Sequence, residues 1–232
     1  MNDLQPCNFL DIQFASDRSL LIKVGDGISK ENHEKVKRIF LLLDSANIEG
    51  VQSIHPAYNS VLITFDPCLI EPHKINHAIK TILENQDAVN VLPSRTINIP
   101  VCYEDEFAPD ISIVANHNSL SVEDVIRIHS RKEYIVYFLG FSPGFPYLGD
   151  MPKEISTPRL ATPRITVPEG SVAIGGDQTG IYPVSSPGGW NIIGRTPLKL
   201  FSPEKSNPTL LKLGDKIRFT PITKTEFVQF KI

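Results

Sequence analysis

The sequence predicts a small α+β domain over residues 1–93, followed by a closed or nearly closed β-barrel over residues 94–232. The length of 232 residues accommodates two ordinary domains. The first part alternates short apolar strands with amphipathic helices. The segment from 140 to 197 holds 10 of the 14 glycines and 9 of the 19 prolines. That density excludes ordinary helices and is typical of many short strands joined by turns.

In the first domain, the pattern predicts a hairpin, a helix, two further strands and a second helix. The first helix has Ser29 as a plausible N-cap, and the second begins at Pro72. Each helix carries one apolar face: Val36, Ile39, Phe40 and Leu43 in the first, Ile75, Ile79, Ile82 and Leu83 in the second. The predicted strands span 9–14, 20–24, 51–55 and 60–65. We therefore expect an antiparallel sheet with both helices on one side.

In the second domain, an opening strand is followed by a helix that starts after Ser121, where Asp124 completes a short capping box. A buried strand then leads into the segment rich in glycine and proline. The predicted strands span 95–101, 133–139, 171–174, 179–182, 190–193 and 212–220. So many short strands between turns favour a barrel.

Composition restricts the possible partners. Hydrophobic residues make up 41% and charged residues 21%, which describes a folded, soluble chain. The formal charge of −3 lacks the excess of basic residues with which a general nucleic-acid binder neutralises phosphates. The N-terminus lacks the pattern of a secretory signal, and no apolar run reaches the ~20 residues of a membrane helix. Cys7, Cys68 and Cys102 are too widely spaced for a zinc site and read as reduced. We expect a cytoplasmic protein with no nucleic-acid or membrane partner.

The sequence lacks the residues that two common catalytic motifs require. The segment 140–144 matches G-x-S-x-G, but Pro143 lacks the N–H that an oxyanion hole needs, and no histidine follows His129. The chain has no Gly-Lys dipeptide and hence no P-loop. His73 and His77 share a helix face without a third ligand, so no metal site is predicted. No catalytic residue can be assigned.

Three arginines adjoin Thr-Pro pairs: Arg159, Arg164 and Arg195. Proline stiffens the neighbouring backbone, so a guanidinium fork there is suited to a carboxylate or phosphate ligand. The alternative is structural, with each arginine forming a salt bridge or capping a carbonyl to close the barrel. Residues 175–180 either approach an anion through backbone amides or form a hairpin turn. Trp190, the only tryptophan, either walls a pocket or belongs to the core.

Several linked blocks follow one another in the second domain: 141–149, 162–164, 167–174, 178–183, 186–190 and 193–197. Together they resemble the family of the bacterial 5-oxoprolinase B subunit, also known as the Kip-type sensor-kinase inhibitor and formerly as allophanate hydrolase subunit 1. Upstream, residues 56–60 and 65–67 are similar to the N-terminal domain of that family. The resemblance covers nearly the whole chain and implies that the barrel is cyclophilin-like.

The resemblance also implies a function. Family members work with the homologous C subunit, which has a related barrel, and with the A subunit, in ATP-dependent opening of 5-oxo-L-proline to L-glutamate. ATP would then act at the level of the complex, and this chain would be inactive alone. The alternative is a regulator whose partner is a sensor histidine kinase, whose autophosphorylation it blocks. The candidates for substrate or anion binding are Arg159, Arg164, Gln178, Tyr182, Trp190 and Arg195.

Overall fold

The computed structural model describes residues 11–84 and 94–230. The chain divides into two compact units, one within residues 1–93 and the other within residues 94–232. Among the described residues, no helix is long and apolar enough to cross a membrane.

The first unit contains a four-stranded antiparallel sheet and two helices. Its strands are β1 (Asp11–Ser16), β2 (Ser19–Lys23), β3 (Val51–Pro56) and β4 (Ser60–Phe65), in the sheet order β1-β2-β4-β3. The helices are α1 (Lys30–Ser45) and α2 (Pro72–Glu84). Residues 9 and 10 of the predicted first strand lie outside the described residues.

One face of this sheet is covered by the two helices. Alternate residues of β2 and β4, such as Leu20 and Ile63, are buried in one cluster with Val36 of α1 and Ile79 of α2. The helix α1 begins where the Ser29 hydroxyl accepts a hydrogen bond from the Asn32 N–H at 3.1 Å. Apolar residues that recur every second position in the strands and about every 3.6 positions in the helices therefore pack together in one core.

The second unit is built on a closed seven-stranded barrel, which confirms the barrel prediction. Its order is β10-β7-β6-β13-β5-β12-β9, and all neighbours are antiparallel except β5 and β13. The barrel strands are β5 (Thr96–Cys102), β6 (Glu133–Leu139), β7 (Pro146–Gly149), β9 (Ser171–Gly175), β10 (Gln178–Ile181), β12 (Asn191–Arg195) and β13 (Lys216–Ile222). A separate ribbon pairs β8 (Arg164–Val167) with β11 (Ser186–Gly188). The helices are α3 (Ile111–His117), α4 (Val122–Ser130) and α5 (Lys224–Gln229).

The last barrel strand begins later than the sequence predicts. Residues 212–215 form a turn instead, in which the Asp215 carboxylate accepts from the Lys212 N–H at 2.8 Å and Gly214 has φ +81. A positive φ interrupts extended backbone, so the strand starts at Lys216. Arg95 clamps the same turn through an ion pair with Asp215.

A buried histidine of α4 joins the helix to the barrel core. The Thr179 hydroxyl donates to the Ala173 carbonyl at 3.0 Å, so it accepts from Nε2–H of His129 at 3.0 Å. The Tyr103 hydroxyl then donates to Nδ1 at 2.9 Å. Burial lowers the pKa of His129 to about 3. This histidine is therefore neutral and structural.

Candidate functional site

The second unit carries a cavity of about 430 Å³ beside the barrel. Four segments surround it: the turn after β6, strand β7, the stretch between residues 159 and 163 that precedes β8, and the chain from Tyr182 through β11 to Trp190. Its lining is Phe141, Phe145, Tyr147, Arg159, Leu160, Pro163, Tyr182, Pro187, Gly188, Gly189 and Trp190. All of them belong to the segment rich in glycine and proline, whose turns bring these side chains together.

The wall of the cavity is aromatic. Phe145 packs edge-on against Tyr182, with ring centroids 5.2 Å apart, and against Trp190 at 5.6 Å. Tyr147 lies 5.0 Å from Phe145 on the same wall. Trp190 is only 6% exposed, so it is both core and cavity wall. Such edge-to-face contacts fix the rings relative to one another.

Two glycines allow this wall to pack closely. A Cβ on Gly175 would lie 2.6 Å from the Trp190 ring, and one on Gly188 would lie 2.3 Å from the Tyr182 hydroxyl oxygen. Gly175 also opens the hairpin between β9 and β10, in which Gly176 has φ +67. The structure therefore shows a hairpin turn in residues 175–178.

Arg159 supplies the positive charge of the cavity. Its guanidinium carbon lies 5.6 Å from the centroid of the Trp190 ring. Among the described residues, no carboxylate forms an ion pair with Arg159. Burial raises the pKa of both Tyr147 and Tyr182, and the nearby Arg159 charge partly opposes that rise. One cation and two protonated phenols thus occupy the same wall.

Arg164 has a different environment. Its guanidinium Nη2 lies 2.6 Å from Oδ1 of Asp110, a carboxylate with only 3% of its side chain exposed. The other carboxylate oxygen of Asp110 accepts from the Ile192 N–H at 2.7 Å. The Arg164 charge is therefore compensated at the start of β8, outside the cavity lining.

The two remaining polar candidates also lie outside the lining. Arg195 ends β12 and donates from Nε to the Glu169 carbonyl at 2.7 Å. Gln178 begins β10 opposite Gly175. Of the six predicted residues, the structure brings Arg159, Tyr182 and Trp190 together.

The sequence analysis does not identify the aromatic residues of the turn after β6 and of β7 as site residues. Phe145 and Tyr147 lie in a block that resembles the family, but that block alone does not mark them as site residues. Phe141 is 66% exposed with φ +65, and its ring meets Phe145 edge-on at 5.6 Å. A non-glycine residue in this region of backbone space is uncommon and clusters at functional sites. The signal that could reveal it is an aromatic residue in a turn bounded by Gly140 and Gly144.

Among the described residues, the buried Ser142 hydroxyl has no hydrogen-bond partner, so no base is placed beside it. The Phe145 N–H donates to the Ser142 carbonyl at 3.1 Å, and the Gly140 N–H donates to the Phe145 carbonyl at 3.0 Å, which makes a compact turn. Within residues 11–84 and 94–230, no group of three or more histidine, cysteine, aspartate or glutamate residues is placed to hold a metal ion.

Comparisons with known proteins by family model and by sequence point to one family. The family model described as "Carboxyltransferase domain, subdomain C and D" matches residues 10–211. The chain is 38% identical to the 5-oxoprolinase B subunit of Bacillus subtilis, over 95% of this chain and 96% of that protein. It is 55% identical to the Escherichia coli O157:H7 protein of that name, over 55% of this chain and 59% of the relative. A crystal structure of a conserved protein from Pyrococcus horikoshii is 46% identical, covers 94% of this chain and 100% of its own, and superposes with a TM-score of 0.57.

Proposed function

Because the chain belongs to the family of the 5-oxoprolinase B subunit, we propose that it is one component of an ATP-dependent 5-oxoprolinase that acts only with its partner subunits. The complex would open 5-oxo-L-proline to L-glutamate. The observation that carries this proposal is the composition of the cavity, which offers groups that bind an anion but none that would attack an amide.

The reaction explains why ATP is needed. Amide resonance makes the lactam carbonyl a poor electrophile. Transfer of the terminal phosphoryl group of ATP to the carbonyl oxygen releases ADP and creates an activated carbon. Water would then attack this carbon and the C–N bond would break, which leaves γ-glutamyl phosphate. A second water would hydrolyse this acyl phosphate to glutamate and phosphate.

The cavity is suited to holding the substrate in this scheme. Its ionisable lining consists of Arg159, Tyr147 and Tyr182. Because burial raises the pKa of both tyrosines, their hydroxyls stay protonated near neutral pH and act as hydrogen-bond donors. Activation of water and delivery of the phosphoryl group would come from the surfaces of the A and C subunits.

Deletion of the gene for this chain tests the proposal in the cell. We expect the deletion strain to accumulate 5-oxo-L-proline and to lose growth on it as nitrogen source. The wild-type gene restores both properties, whereas an empty vector does not. Normal consumption of 5-oxo-L-proline in the deletion strain, together with altered phosphorylation of a sensor histidine kinase, would contradict the proposal and support the regulator.

A further inference from the structure

We propose that the cavity lined by Arg159 and Trp190 is the site where the lactam substrate binds, with its carboxylate on Arg159 and its ring on the wall of Trp190 and Phe145. This inference rests on the proposed function for the identity of the substrate. It adds which of the two reactants, the lactam or the nucleotide, this chain holds.

Charge favours the lactam. Arg159 is the only charged side chain of the lining, and no carboxylate in the described part of the chain pairs with it. Arg164, the next guanidinium along the chain, is already compensated by Asp110 at 2.6 Å. A single carboxylate balances one uncompensated guanidinium and matches its fork. A nucleoside triphosphate carries several negative charges, and its sites usually combine cationic side chains with backbone amides and a metal ion.

Hydrogen bonds hold the backbone on both sides of Arg159, and its guanidinium lies over the Trp190 ring. Thr157 and Gly176 exchange backbone hydrogen bonds at 2.8 and 3.3 Å. The Pro158 carbonyl accepts from the Asn191 amide at 2.8 Å, and the Leu160 N–H donates to the Gly189 carbonyl at 2.7 Å. Prior ordering of this kind reduces the entropy lost on binding.

The wall beside Arg159 matches the rest of the lactam. The lactam ring presents methylene groups, which gain from contact with the rings of Trp190 and Phe145. Its carbonyl oxygen needs a donor, and Tyr147 and Tyr182 place protonated phenols on the same wall. The cavity therefore combines a site for one carboxylate with an apolar wall and hydroxyl donors.

The fluorescence of Trp190 tests binding directly, since it is the only tryptophan of the chain. The isolated chain is titrated with 5-oxo-L-proline, with pyrrolidin-2-one, which has the same ring without the carboxylate, and with ATP. We expect a saturable change with 5-oxo-L-proline and a roughly tenfold to hundredfold weaker response to pyrrolidin-2-one. A tighter response to ATP than to 5-oxo-L-proline would overturn the inference.

The variant Arg159→Gln separates a carboxylate contact from a general loss of the site. In this variant, 5-oxo-L-proline should bind no more tightly than pyrrolidin-2-one, whose own affinity should change little. Arg127→Gln is the matched control, because Arg127 is an exposed arginine of α4 paired with Asp124 and lies outside the cavity lining. Persistence of the preference for the carboxylate in Arg159→Gln would overturn the inference.

Kinetics of the complex provide a second readout if the isolated chain does not bind measurably. In the complex reconstituted with the A and C subunits, Arg159→Gln should raise KM for 5-oxo-L-proline roughly tenfold to hundredfold, with KM for ATP unchanged. An unchanged KM for 5-oxo-L-proline in an active complex would refute substrate binding in this cavity but not the proposed function of the chain. If the chain binds 5-oxo-L-proline through its carboxylate but the complex releases no glutamate, the proposed 5-oxoprolinase function would be refuted and the binding site would not.

Discussion

Arg159, Arg164 and Arg195 share a local sequence with a Thr-Pro pair, yet the structure gives them different partners. Arg159 lies over Trp190, Arg164 pairs with Asp110, and Arg195 donates to the Glu169 carbonyl. The local sequence predicts stiff arginines and leaves ligand and structural roles open. Only contacts between distant parts of the chain separate the three, because Asp110 lies 54 residues before Arg164.

The ion pair between Arg164 and Asp110 predicts a loss of stability on substitution. Asp110→Asn should lower the free energy of unfolding by about 2–4 kcal/mol, because the Arg164 charge would remain without its buried partner. Urea unfolding followed by Trp190 fluorescence measures this change in the second unit, where that tryptophan lies. The variant Arg195→Lys serves as the comparison for unfolding, because Arg195 contacts the Glu169 carbonyl and not a buried carboxylate. Unchanged unfolding with a raised KM for 5-oxo-L-proline would instead make Arg164 a ligand.

His129 predicts a pH dependence of stability. Its pKa is about 3 in the folded chain against an ordinary value of 6.5, so the unfolded chain binds the extra proton as pH falls below 6.5. Stability is therefore lost on acidification between pH 6.5 and 3. From about pH 6.5 to 4.5 the wild type should lose about 2 kcal/mol more than His129→Gln. Equal losses in the two proteins would show that His129 is not neutral and buried.

At the scale of elements, β11 controls the shape of the cavity through its last residue. Gly188→Ala should displace the Tyr182 ring, since the new Cβ would lie 2.3 Å from its hydroxyl oxygen. Ile165→Ala is the control, because Ile165 is 89% exposed on β8, the strand that pairs with β11, and lies outside the cavity lining. We expect at least a roughly tenfold rise in KM for 5-oxo-L-proline in the first variant only. Equal KM values would mean that Tyr182 does not shape the substrate site.

Elements with a strong local signal are predictable from the sequence, whereas those made by long-range contacts are not. The apolar run of β6 and the cap of α4 at Ser121 are both predicted, and the structure confirms them. The helix α3 is missed because its N-cap residue, Asp110, makes no local cap hydrogen bond and bonds to Ile192 instead. The short strands β7 and β8 lie among prolines and form only through pairing with other strands. Half of the predicted site residues lie outside the cavity, because their positions also depend on contacts between distant parts of the chain.

At the scale of the whole molecule, the lining of the cavity holds one arginine and no carboxylate, cysteine or histidine, so we expect activity to depend on partner subunits. The 38% identity to a 5-oxoprolinase B subunit extends over 95% of this chain. Both units of the chain therefore take part in the resemblance. A function as one component of a larger enzyme agrees with a lining that consists of one arginine, two ionisable phenols and apolar groups.

Reconstitution tests this account most directly. The purified chain is assayed for glutamate and ADP with 5-oxo-L-proline and ATP, first alone and then with the A and C subunits. The account predicts neither product from the chain alone, and glutamate and ADP together from the complete mixture, with both lost when this chain is omitted. Robust release of glutamate by the chain alone, or undiminished release by the other two components without it, would contradict the account.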